Sequence, residues 1–152
     1  MRFLILSAAM AVLFVGCGRK IASVERHSVY PVEGTVIWKK KPLAGAHLEF
    51  HPLGWTPHEF THVPVAITDK EGRFKLGTYG GADGAPAGKY TITITATDGK
   101  PGMGRPNILP KQLSLAKTSG LEVEIVEGEN VLPPLDLGGK PDPEEKGKQG
   151  TR

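Results

Sequence analysis

Residues 31–52, PVEGTVIWKKKPLAGAHLEFHP, constrain the fold more than any other stretch. Small or apolar residues take every second position on both sides of a turn. They are Val32, Gly34, Val36 and Trp38 before it, and Ala46, Leu48 and Phe50 after it. Successive side chains of a strand point to opposite faces, so this period is that of a strand with one buried and one solvated face. Between the two halves, Pro42 presets φ for a turn and Gly45 permits left-handed backbone. The expectation is a hairpin, and with it an all-β domain.

The rest of the chain repeats the theme. Val65 to Thr68, the turn Asp69-Lys70-Glu71-Gly72, and Arg73 to Leu76 predict a second hairpin that buries Phe74 and Leu76. After the flexible connection GTYGGADGAPAG, residues 89–97 (KYTITITAT) alternate most cleanly, with Tyr90, Ile92, Ile94 and Ala96 on one face and threonines on the other. Residues 98–111 carry too much Gly and Pro for regular structure. Leu121, Val123 and Ile125 then alternate with glutamates, and 131–137 close the sheet with Pro133-Pro134 admissible only at an edge. About seven short strands over residues 30–137 predict a β-sandwich. The 20 glycines and 13 prolines of the 152-residue chain supply its turns, and no helix of useful length is indicated. Residues 138–152 lack any large apolar side chain and are expected to be disordered.

The N-terminus reads as an address. Residues 1–16, MRFLILSAAMAVLFVG, hold one basic residue and an apolar run shorter than the ~20 residues of a spanning helix, the pattern of a secretory signal. Cys17 is the one cysteine, so an intrachain disulfide is impossible. Leu13-Phe14-Val15-Gly16-Cys17 resembles the lipobox of bacterial lipoproteins, although Phe14 stands where that pattern usually holds Leu. The resemblance implies that Cys17 is diacylated on sulfur, exposed by cleavage before it, and acylated on its new amino group. Each buried methylene contributes ~0.8 kcal/mol, so several chains hold a domain on a membrane durably. The competing reading is an ordinary secreted protein. Residues 17–29 would form a polar tether, and Gly18, not being Asp, gives no argument for inner-membrane retention.

A family resemblance follows from the domain's motifs. V-x-G-x-V with KPLAGAHLEFHP, then TDKEGRFKL, then GAPAGKYTITI resembles a carboxypeptidase regulatory-like domain, a transthyretin-like (prealbumin-like, Ig-like) β-sandwich found in small bacterial lipoproteins. These motifs specify turns and core positions and imply no activity. Lys40 departs from the family, which often has Gly there; if that position needs positive φ, lysine costs on the order of 1 kcal/mol.

Reactive constellations are few. His58-Glu59-Phe60-Thr61-His62 is a literal H-E-x-x-H, which in zinc proteases lies on a helix that brings both imidazoles to one ion. Here Pro64 stops any helix after barely two turns, and on a strand the two would stand ~13 Å apart. His58 and His62 are therefore weak metal candidates, and a metal-dependent hydrolase built on His58, Glu59 and His62 is the alternative function. His47, Glu49 and His51 alternate on a predicted outward face, where a surface cation site or a plain polar face is conceivable. The Tyr-Arg-Gly-Ser end of the transthyretin-like hydroxyisourate hydrolases is missing, and Ser114 and Ser119 lie in no nucleophile elbow. Trp38 falls on the inward face; Trp55, in an irregular loop, is the candidate ligand contact, with Tyr79 another ring able to stack on sugars. A net charge of +3 is spread thinly, and its one dense run, Lys39-Lys40-Lys41, sits in a turn, which argues against nucleic acid as a partner. The expected protein is a non-catalytic binding or structural module at the cell envelope. It needs no cofactor, is anchored to a membrane through Cys17, and has an envelope protein or glycan as its partner.

Overall fold

In the computed structural model the described residues are 26–56, 61–97 and 106–138. Cys17, His58, Glu59 and the segments 1–25 and 139–152 lie outside them. The strands are β1 (Val32–Trp38), β2 (Lys41–Pro42), β3 (His47–Pro52), β4 (Val65–Ile67), β5 (Arg73–Lys75), β6 (Gly88–Thr95), β7 (Glu122–Ile125), β8 (Asn130–Val131) and β9 (Leu135–Asp136). One 3-10 turn, Lys111–Ser114, precedes β7. They form two sheets, so the chain is an all-β sandwich, with nine short strands among the described residues where about seven were expected.

One sheet is organised around β1. Antiparallel β5 and β2 follow one another along one edge of β1. Along the other run β8 and β9, both parallel to it. Pro133 and Pro134 sit between β8 and β9, where proline's missing N–H costs the ladder nothing. The second sheet has the order β4-β3-β6-β7 and is antiparallel throughout.

Neither predicted hairpin forms as such. β1 turns back only through Lys39-Lys40 into the two residues of β2, and the chain then crosses to the other sheet as β3. Likewise β4 ladders to β3 while β5 ladders to β1. Backbone hydrogen bonds between Val65 and Gly77, and from Asp69 N–H to the Arg73 carbonyl, close the two ends of that corner. The inward residues expected of β3, β5 and β6 are buried. Two strands facing each other across a core satisfy the same pattern as two neighbours, so pairing had to be decided by contacts distant in sequence.

The crossing is held by Thr68, which is only 4% exposed. Its Oγ1 donates to the Leu43 carbonyl at 2.6 Å and accepts from Ala46 N–H at 2.8 Å. Both backbone groups belong to the strand-switching segment and would otherwise be buried without partners.

Between the layers lie Val32, Val36 and Phe74 from the first sheet and Leu48, Phe50, Tyr90, Ile92 and Ile94 from the second. The Phe50 ring meets Phe74 at 6.2 Å and Tyr90 at 6.3 Å between centroids. Burying each large apolar side chain contributes about 1.5–3 kcal/mol. Gly34 belongs to this inward row for a steric reason: a Cβ there would stand 2.8 Å from the Phe74 ring. Tyr90 keeps its polar end satisfied by donating to the Pro86 carbonyl at 2.8 Å, and burial pushes its phenol pKa well above the ordinary value.

Pairing also sorts the loops. At one end Tyr30 bridges Ala85, and Leu53 N–H bonds the Lys89 carbonyl. There the chain enters from Arg26, and residues 53–56, 61–64 and 77–88 gather. At the other end Lys39 N–H bonds the Gly138 carbonyl, beside the 69–72 turn.

Candidate functional site

The entry end carries the densest group of aromatic and imidazole side chains among the described residues. The 77–84 loop positions Tyr79. Asp83 accepts from the backbone N–H of Thr78 at 2.7 Å and of Tyr79 at 3.1 Å, while the Thr78 hydroxyl donates to the Gly84 carbonyl at 2.6 Å. Gly84 itself has φ +97°, and a Cβ there would collide with the Tyr30 carbonyl, so this corner accepts only glycine.

Around Tyr79 the surroundings converge from three segments. Its hydroxyl accepts from the His27 backbone N–H at 2.9 Å. The Arg26 guanidinium lies 5.4 Å from the ring centroid, in cation–π range. His62 meets the same ring at 5.3 Å and 65°, and its Nδ1 shares a hydrogen bond with Thr61 Oγ1 at 2.9 Å. Trp55 is half-buried next to Gly88, with the His27 imidazole edge-on at 4.7 Å and 89°. Sequence reasoning had picked Trp55, Tyr79 and His62 separately. It missed Arg26 and His27, assigned to the tether, because their partners lie 28 and more residues away.

His62 is thus engaged with a hydroxyl and a phenol ring, while His58 and Glu59 lie outside the described residues. Among the described residues no group of three or more His, Cys, Asp or Glu side chains is arranged to hold a metal ion.

No family model matches the chain, and no curated protein matches it. Among solved structures, a DUF3823 family protein from Parabacteroides merdae is similar at 14% identity and a TM-score of 0.38. The alignment covers 76% of this chain and 48% of that one, so the chain spans about half of its length.

Two other polar arrangements lie on the sheet faces. On the outer face of the second sheet Glu49 stands between two imidazoles, 3.8 Å from His47 Nδ1 and 3.5 Å from His51 Nε2. His51 Nε2 also shares a 2.9 Å hydrogen bond with Thr93 Oγ1 across the ladder. Each imidazole takes a different carboxylate oxygen, so the row is a braced cross-strand surface and not a convergent ligand set. On the first sheet an open groove of about 680 Å³ runs past Glu33, Ile67, Arg73, Lys75 and Val131. Its charges are matched locally, Lys75 with Glu33 at 3.6 Å and Arg73 with Asp69 at 3.3 Å.

Trp38 is half-buried against the core at the end remote from Trp55. The two tryptophans therefore mark opposite poles of the sandwich.

Proposed function

We propose that this chain is a lipid-anchored β-sandwich of the bacterial cell envelope, working as a non-catalytic binding or structural module. The observation that carries the non-catalytic part is the employment of its polar side chains. Thr68, Asp83 and Asn130 satisfy backbone groups, His51 and Glu49 brace a sheet face, and His62 packs on Tyr79. Asn130, only 8% exposed, accepts from Val126 N–H and donates to the carbonyls of Val126 and Gly128, closing the β7–β8 turn. Groups committed in this way hold a fold in shape and are not poised for proton transfer or nucleophilic attack. The anchor rests on Leu13-Phe14-Val15-Gly16-Cys17 behind an apolar leader. The carboxypeptidase regulatory-like resemblance is consistent with a presenting scaffold whose partner is an envelope protein or glycan.

Two measurements test the reading. Cys17→Ser is expected to move the protein from the membrane fraction to the soluble fraction; retention in the membrane would refute lipidation as the anchor. Zinc content of the purified protein, with and without His62→Ala, tests the non-catalytic part. Stoichiometric zinc lost in the variant would favour the hydrolase.

A further inference from the structure

We propose that the pole bearing Trp55 and Tyr79 is a membrane-docking face, which settles into the headgroup layer when Cys17 is acylated. The inference rests on the lipid-anchor reading and adds an orientation to it.

The geometry begins with where the chain enters. Eight residues, 18–25, separate Cys17 from Arg26. At about 3.5 Å per residue they reach no further than about 30 Å. Arg26 and His27 are themselves docked on Tyr79 and Trp55, so the tether starts at this pole. A short tether raises the effective concentration of the pole at the bilayer to the millimolar range, so even weak interfacial affinity produces occupancy.

The residues at the pole suit that surface. Tryptophan and tyrosine concentrate at membrane–water interfaces, where an apolar ring and a polar edge are both accommodated. At the same end lie exposed apolar side chains, Leu53 at 43%, Val63 at 39% and Val126 at 55%. Arg26 adds a cation at headgroup depth. Glu127 and Glu129, in the β7–β8 turn at the same end, oppose attraction to anionic lipid. Docking is therefore carried by ring and aliphatic burial and not by net charge, and it should change little with salt. The far pole, with Trp38 and Lys39-Lys40-Lys41, then faces away from the membrane, about 20 Å further out by the length of the seven-residue β1.

The two tryptophans give the test its internal control. Lipidated full-length protein carrying Trp38→Phe or Trp55→Phe is reconstituted into phosphatidylethanolamine–phosphatidylglycerol vesicles containing brominated lipid. Trp55 fluorescence should be quenched several-fold more strongly than that of Trp38, with little dependence on salt. Equal quenching of the two, or stronger quenching of Trp38, would overturn the docking. Should either Phe variant misfold, hydrogen exchange of residues 53–56 and 77–84 in wild type serves instead. Protection is expected to rise on the vesicles and to be lost in Leu53→Asp/Val63→Asp, both exposed positions; unchanged exchange overturns the proposal. The outcomes separate the two ideas. A Cys17→Ser protein that becomes soluble, together with equal quenching in the lipidated form, sinks the docking and leaves the anchor standing. A Cys17→Ser protein that stays on the membrane with Trp55 quenched does the reverse.

Discussion

The turn between β1 and β2 offers a sharp test of how backbone geometry sets stability here. Trp38 pairs with Lys41 and Ile37 with Pro42, leaving a two-residue loop. Its residues, Lys39 at φ 52° and Lys40 at φ 65°, are the non-glycine positive-φ residues among those described. Positive φ at both central positions is what a type I′ turn demands, and its twist matches the right-handed twist of the flanking strands. The left-handed region costs an L-residue with a Cβ about 1 kcal/mol or more relative to glycine, which Lys40→Gly should recover as a net gain of about 1 kcal/mol. Lys39→Asn should add a few tenths, since Asn tolerates this region better than Lys. For a domain of roughly 100 residues, 1 kcal/mol corresponds to about 4 °C in Tm. Lys41→Gly is the control. Lys41 lies in extended β2, so losing its side chain there should destabilise by about 0.5–1 kcal/mol. Each of the three substitutions removes one positive charge, so the charge change is common to all and physiological salt screens it. Urea unfolding at unchanged m-value reads the result directly. If Lys40→Gly lowers the midpoint, or if Lys40→Gly and Lys41→Gly shift it in the same direction, the turn argument is wrong.

Three further predictions come from the same structure. Thr68→Val leaves the Leu43 carbonyl and Ala46 N–H buried without partners and should cost about 2–4 kcal/mol by urea titration; less than about 1 kcal/mol would mean water replaces the hydroxyl. Gly84→Ala should cost more than about 3 kcal/mol, because its Cβ meets the Tyr30 carbonyl, whereas Gly45→Ala, with nothing within 4 Å, should cost only about 1 kcal/mol. Equal losses at the two glycines would show that φ alone governs both. The carboxylate of Asp69 is held below its ordinary pKa chiefly by the Arg73 N–H, with the Glu71 N–H and the Arg73 guanidinium adding to it and burial acting in the opposite direction. A depressed pKa stabilises the fold fully above the unfolded value and loses that contribution as the pH falls through the folded one. Asp69→Asn should therefore flatten the acid side of a Tm-against-pH curve, and an unaltered curve would remove Asp69 from the account.

Legibility in the sequence followed the range of each interaction. The strand faces were readable because the alternation at Leu48 and Phe50, or at Tyr90, Ile92 and Ile94, is local and the structure buries those side chains. Lys40 was readable as a strained turn position, and the structure places it at positive φ. The edge role of Pro133-Pro134 was legible too, because a missing N–H excludes a central ladder. The threonine face of β6 was left open by the sequence, since threonine suits either solvent or a second layer; the structure buries Thr91 and Thr93. At the entry pole Trp55 was visible as a ring in a loop, but the cluster around it was not. His27 reaches Tyr79 over 52 positions of sequence, and no local pattern encodes such a meeting.

From its residues alone the chain was bound to make short strands, each with one oily face, joined by turns in which glycine and proline set the backbone. Which strand lay beside which was left open, because one-sided burial is satisfied equally by a neighbour in the same sheet and by a facing strand across the core. Tertiary structure made that choice. The Thr68 hydroxyl tied to Leu43 and Ala46 holds the crossing that sends β3 into the opposite layer. The same crossings place Trp38 and Trp55 at opposite poles, an arrangement that hydrogen bonds between distant residues can build and local periodicity cannot.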